Sequence, residues 1–177
     1  MDVLTILLIF FIAAAAHMPA SPSSAPAEKN TATPPVNPLS DAQAALEKHG
    51  IAARMEPRGL VISLPQSILF GSGDDQVSAD AFPMVAQIAA VIVDLPNRVS
   101  FIGHADSVPI HNRRFRSNWE LSAARGLSLL ELFRDQHGIP ESRLSMSSDG
   151  INRPKGSNDT AEGRAENRRV EIVILSQ

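Results

Sequence analysis

Residues 98–137 read RVSFIGHADSVPIHNRRFRSNWELSAARGLSLLELFRDQH. The opening Arg98–His104 reads as a strand. Ser117–Asn118–Trp119–Glu120 has capping-box spacing, in which a Ser hydroxyl and a Glu carboxylate each satisfy a free N–H at a helix start. This predicts a helix from there to about His137, closed by the stop signals Gly138 and Pro140. A strand, a polar loop and a long capped helix make one unit of an alternating α/β fold.

The same pattern extends on both sides. Upstream, Asp41–His49 reads as a short helix stopped by Gly50, and Arg58–Pro65 (RGLVISLP) as a strand. Ser78–Asp94 is a helical run rich in Ala, Val and Ile; Pro83 fits only its first turn, which moves the start a few residues inward. Downstream, Arg143–Ser147 reads as a short strand. Arg169–Leu175 (RVEIVIL) reads as a last strand, apolar on nearly every residue past Glu171 and so central or well covered. The order β-α-β-α-β-β calls for an α/β sandwich with helices on one or both faces of the sheet. Within the long helix, Asn118, Ser122 and Arg125 share one face, whereas Ala124, Leu127 and Leu130 are expected to enter the core.

The folded region is expected over residues 41–177. Residues 19–40 read as a linker: six of the 13 prolines lie between Pro19 and Pro38, among Ser, Ala, Thr and Asn. Such a stretch cannot bury enough apolar surface to offset its ordering entropy. Residues 1–18 contain VLTILLIFFIAAAA at Val3–Ala16, an uncharged run that spans about 21 Å as a helix. That is short of the roughly 20 residues a bilayer core asks for, and the acidic Asp2 does not suit the start of a signal peptide. The expectation is a membrane helix whose front part precedes Met1, with a cleaved signal as the alternative.

Composition narrows the function. The 16 basic against 19 acidic residues, net charge -3, do not favour a nucleic-acid binder. The absence of cysteine removes disulfide scaffolds, thiol nucleophiles and thiolate metal sites. His104, Asp106 and His111 match no zinc spacing. No nucleophile elbow and no lysozyme-like carboxylate arrangement is recognisable. No cofactor or metal is expected, and the chain is not expected to be an enzyme.

Several motifs in order carry a resemblance: ILFGSG at 68–73, FIGHADSVPIHNRRFRSNWELSAAR at 101–125, GINRP at 150–154 and SNDTAEGRAENRRVEI at 157–172. Together they resemble the OmpA-like peptidoglycan-binding domain over roughly residues 58–175, in the variant found in MotB-type flagellar stator proteins. Asp2-Val3-Leu4-Thr5 followed by LLIFFI is similar to the membrane helix of that family and equally to that of ExbD and TolR. The resemblance implies an OmpA-like mixed sheet with helices packed on it. It implies a bacterial inner-membrane protein with one span and a periplasmic C-terminal domain that binds peptidoglycan without covalent chemistry. A MotA-like multi-span channel subunit and a second copy of the chain are its implied partners. The runner-up is a structural tether between membrane and wall, or a secreted periplasmic wall binder.

The family's ligand is the diaminopimelate of the stem peptide, which presents an ammonium and a carboxylate on one carbon. By resemblance, Asp106 accepts from the ammonium and Arg125 grips the carboxylate with a two-pronged fork that lysine cannot reproduce. Asn118, Leu121, Ser122 and Arg168 complete the implied ligand-binding set, and Asp2 is implied as the proton-carrying residue of the ion path. Plainer readings stand beside these. Asp106 fits a turn residue fixing the strand exit, and Arg125 fits a surface partner of Glu120 or Glu131. Arg168 and Arg169 compete for the pocket position, and either also fits pairing with nearby carboxylates. Trp119 fits a packed anchor better than a stacking platform.

Overall fold

The computed structural model describes residues 37–110 and 112–176. The apolar run, Asp2, the linker residues before Asn37 and His111 lie outside them. Helix α1 spans Pro38–Lys48, so it takes in three residues that the composition assigned to the linker. The reason is local: Pro38 is pre-set for a first helical turn, and the Asn37 side chain accepts from Leu39 N. A hairpin follows, β1 (Ala53–Glu56) and β2 (Gly59–Pro65). After a one-turn helix α2 (Gln66–Leu69) and a 3-10 turn at Ala79–Ala81 comes α3 (Phe82–Val93), with Pro83 in its first turn as expected. Strand β3 (Val99–His104) leads through a loop to α4 (Asn118–His137). Strand β4 (Leu144–Gly150), the short α5 (Ala161–Asn167) and β5 (Arg169–Leu175) complete the chain.

The five strands lie in the order β1-β2-β5-β3-β4. Only β3 and β4 are parallel, so the sheet is mixed. The last strand is central, with Phe101 of β3 opposite Ile172 and Leu60 of β2 opposite Ile174. Alternate residues of the three inner strands point to one face. There Leu60, Ile62, Val99, Phe101, Ile172 and Ile174 join Leu46 of α1, Val85, Ile88 and Ile92 of α3, and Leu129 and Phe133 of α4 in one buried core. Phe101 and Phe133 meet edge to face with ring centroids 5.0 Å apart.

Helix α4 begins and ends where the sequence places it. Ser117 accepts from Glu120 N at 3.3 Å, and Gly138 closes the helix in the left-handed conformation at φ 66°. The return half of the capping box is shifted by one residue, since the Glu120 carboxylate accepts from Arg116 N. The helix is also rolled relative to expectation. Leu130 is buried, but Leu127 is 42% exposed and Ala124 only half-buried. The inward side runs instead through Leu121, Ser122, Arg125, Gly126, Leu129, Leu132 and Phe133. Close approach to β3 drives the roll: a Cβ on Gly103 would sit 1.9 Å from the Ser122 carbonyl oxygen. One inward stripe therefore serves as core in the C-terminal half and carries polar groups in the N-terminal half.

Three elements escape the periodic reading. Strand β1 has only four residues, too few to show alternation, and α2 is a single turn. Helix α5 is short and polar, capped by Thr160, whose side chain accepts from Gly163 N.

Candidate functional site

Strand β3 ends at His104, and two residues later Asp106 is 6% exposed. Its carboxylate does two jobs. Oδ1 accepts from Val108 N at 3.0 Å, which is the turn role, and Oδ2 accepts from Arg168 Nη1 at 2.5 Å. Charge-assisted pairs of this kind are short and strong. Arg168 reaches Asp106 because its predecessor is locked. Asn167 is fully buried; its Oδ1 accepts from Lys155 N and Gly156 N, and its Nδ2 donates to Gly156 O and Asn158 Oδ1. Asn158 Oδ1 in turn accepts from Ser107 N, beside Asp106.

Asn118, the first residue of α4, pins the loop on the other side. Its Nδ2 donates to the carbonyls of Asp106 and Val108, and its Oδ1 accepts from Ile110 N. Arg125 lies further along α4 at 3% exposure. Its Nε donates to Asp74 O at 2.8 Å, and its guanidinium lies over the Phe70 ring, 5.1 Å from the centroid. Its Nη2 is buried with no hydrogen-bond partner among the described residues. Burial pushes its pKa down to about 10 against the pull of Asp75 and Asp74, with the charge of Arg168 lowering it further. It remains a cation at neutral pH. The plainer reading of Arg125 as a surface partner of Glu120 or Glu131 gives way to this inward seat.

Asp106, Asn118, Leu121, Arg125 and Arg168 all line one cavity of about 400 Å³. Gln66, Ser72 and Gly73 close one side, and Val108, Pro109 and Ile110 another. Arg114 ties the two rims, bonding Asp74 Oδ1 at 3.2 Å and Asp75 Oδ1 at 2.5 Å. The lining mixes an acidic acceptor, two guanidiniums and an apolar wall, which suits a small charged group on an aliphatic stem.

Ser122 is placed differently from the other residues of the implied set. It is buried, but its hydroxyl donates back to Asn118 O and meets Ser148 Oγ at 2.6 Å, so it joins α4 to β4 and does not line the cavity. Three-and-four spacing puts it near Arg125, but the close contact at Gly103 turns it into the sheet. Arg169, the first residue of β5, does not line the cavity either. It donates from Nε to Glu171 Oε1 at 2.9 Å, while Arg58 Nη2 donates to Glu171 Oε2 at 2.6 Å. His104 Nε2 stands 3.5 Å from the same oxygen without a hydrogen bond to it. Trp119 is 47% exposed and lies against Gly150, outside the cavity. The residues that the sequence reading did not name, Gln66, Ser72 and Gly73, come from the segment around the ILFGSG motif. That motif was their only signal.

Among the described residues no three His, Cys, Asp or Glu side chains stand close enough to hold a metal ion. Among the same residues no helix is long and apolar enough to cross a membrane.

Residues 69–168 match the model of the OmpA family. Motility protein B of Bacillus subtilis is 34% identical over 129 residues, 72% of this chain and 49% of the relative. The chain spans about half the length of the curated relatives it matches first. The periplasmic domain of Helicobacter pylori MotB superposes with a TM-score of 0.65 at 30% identity, covering 71% of this chain and 81% of that one. The cell wall anchor of the T6SS from Pseudomonas aeruginosa superposes with a TM-score of 0.70 at 30% identity, covering 78% and 97%.

Proposed function

The chain belongs to the OmpA family, and from that premise we propose that its cavity holds peptidoglycan non-covalently by the diaminopimelate of the stem peptide. One observation carries the reading: a buried guanidinium whose Nη2 has no partner among the described residues shares a cavity with a buried carboxylate. The carboxylate accepts from the ligand ammonium, the Arg125 fork donates to the adjacent carboxylate, and the apolar wall takes the methylene stem. Geometry, not bond chemistry, does the work, and the protein is not an enzyme in this reading. The likeness to Motility protein B supports a stator subunit that grips the wall while a MotA-like channel subunit partners its membrane helix and Asp2 carries the proton, working as a homodimer in the inner membrane with this domain in the periplasm.

Retention of the full chain on diaminopimelate-containing sacculi tests the binding step. Wild type is retained, and Asp106→Ala and Arg125→Ala are lost; equal retention of all three would sink the proposal. Co-purification with a MotA-like subunit, and loss of motor function in Asp2→Asn with wall retention intact, tests the stator step.

A second reading, a tether between membrane and wall, is favoured by the likeness to the T6SS cell wall anchor, nearly all of which this chain covers. A chain that is retained on sacculi but whose Asp2→Asn variant behaves as wild type supports it.

A further inference from the structure

A second cavity, of about 400 Å³, opens on the sheet face that turns away from the core. It shares no lining residue with the first. Strand pairing builds its floor. Leu60, Ile62 and Ile172 point into the core, so their neighbours Val61, Ser63 and Glu171 point the other way. Ser63 lies directly opposite Glu171, and Arg54 of β1 directly opposite Val61. The loop after β4 supplies another wall through Arg153 and Lys155.

The charges of this second cavity do not cancel. Glu171 is fully engaged: Oε1 accepts from Arg169 Nε at 2.9 Å and Oε2 from Arg58 Nη2 at 2.6 Å. Glu56 accepts from Arg58 Nε at 2.8 Å, and Arg153 stands 3.5 Å from Asp149. Arg54 and Lys155 are left over, with no ion-pair partner among the described residues. Arg169 also lines the cavity and is 6% exposed, yet its terminal nitrogens reach only backbone carbonyls, at 3.3 and 3.4 Å. Those bonds are longer than the usual N–H···O range. A concave site with two surplus cations on separate elements and a weakly engaged buried guanidinium gathers anions. We propose that this cavity is a second ligand site, which takes a doubly charged oxyanion of the phosphate class through Arg54, Lys155 and the terminal nitrogens of Arg169. Two surplus positive charges match a dianion, and a phosphate offers several oxygens on one centre to guanidinium and ammonium donors together. A singly charged ion leaves half the surplus unmatched. The phosphate is either the free inorganic ion or an ester on a larger molecule.

The test is an NMR titration of the full chain, in mildly alkaline buffer at constant ionic strength, with inorganic phosphate, glycerol 3-phosphate and chloride. Both phosphates are expected to shift the amides of Val61, Ser63 and Lys155 saturably, and chloride to leave them in place. Arg54→Gln and Lys155→Gln should each weaken the response about tenfold, the loss of one charge-assisted contact. A chain with Lys48→Gln and Arg98→Gln, which removes two exposed charges elsewhere, should keep it. Tighter saturation by glycerol 3-phosphate assigns the site to an ester, and tighter saturation by inorganic phosphate to the free ion. No saturable shift with either phosphate, an equal response to chloride, or full affinity in both Arg54→Gln and Lys155→Gln leaves adventitious ion pairing only and overturns the site. Retention on sacculi, read in parallel, depends on the first cavity, so those outcomes leave the wall-binding reading standing.

Discussion

Asn118 clamps the strand exit at Asp106: its Nδ2 donates to the Asp106 carbonyl at 2.9 Å and to the Val108 carbonyl at 2.8 Å, while its Oδ1 accepts from Ile110 N. One side chain thus fixes the first residue of a helix against a loop that has no regular structure of its own. Asn118→Ala leaves two carbonyls and one N–H to find water, and is expected to cost about 1–3 kcal/mol of stability. Chemical denaturation reads the loss, and hydrogen exchange at Ile110 should quicken. An unchanged denaturation midpoint would show that the clamp is dispensable.

Arg125 separates charge from shape. Arg125→Lys keeps a cation but gives up the Nε bond to Asp74 and the planar fork. Its affinity for sacculi should drop roughly tenfold, and that of Arg125→Ala by roughly ten- to a hundred-fold. Parallel thermal melts distinguish lost binding from lost folding. A lysine variant that binds as wild type would mean that a point charge suffices.

Glu171 makes stability depend on acidity. Burial opposes its ionisation, but His104, Arg58 and Arg169 outweigh burial and hold its carboxyl well below the ordinary value of 4.5. A depressed carboxyl stabilises the fold at pH values above 4.5, and that contribution drains away as pH falls below 4.5 toward the folded-state value. Glu171→Gln leaves Arg58 and Arg169 without their shared counter-charge and should cost roughly 3 kcal/mol at neutral pH. Melting temperatures of the two proteins should converge on acidification; a gap that is flat with pH would argue against an ionised Glu171.

Gly103 permits the contact between β3 and α4. A methyl there would meet the Ser122 carbonyl oxygen at 1.9 Å, a backbone atom that cannot swing aside. Gly103→Ala should destabilise by about 3 kcal/mol, at the top of the usual range for overpacking, with α4 displaced and retention on sacculi lost. Circular dichroism and a melt report the first effect; a stable, binding-competent variant would contradict the close packing.

The legible parts of this molecule are those with long local patterns. Helix α4 shows in its cap, its length and its glycine stop, and β5 in seven residues of mostly apolar sequence. Strand β1 is too short to show a period, and α5 is too polar. Within the cavity, the motif resemblance located Asp106, Arg125, Asn118, Leu121 and Arg168. The helical roll that buries Arg125 and turns Ser122 toward Ser148 is set by a neighbouring glycine, which helical spacing alone does not encode. Ser72 belongs to the ILFGSG motif, whereas Gln66, two residues before it, reaches the cavity by tertiary placement.

Arg168 directly precedes β5, and β5 is laddered to β2 on one side and β3 on the other. In the proposed wall-binding role, tension arriving from a captured polymer through that arginine enters the middle of the sheet along the strand axis. Both ladders then resist sliding together, in shear. An anchorage mounted on the outermost strand would unzip one rung after another; this one has no free border from which to start.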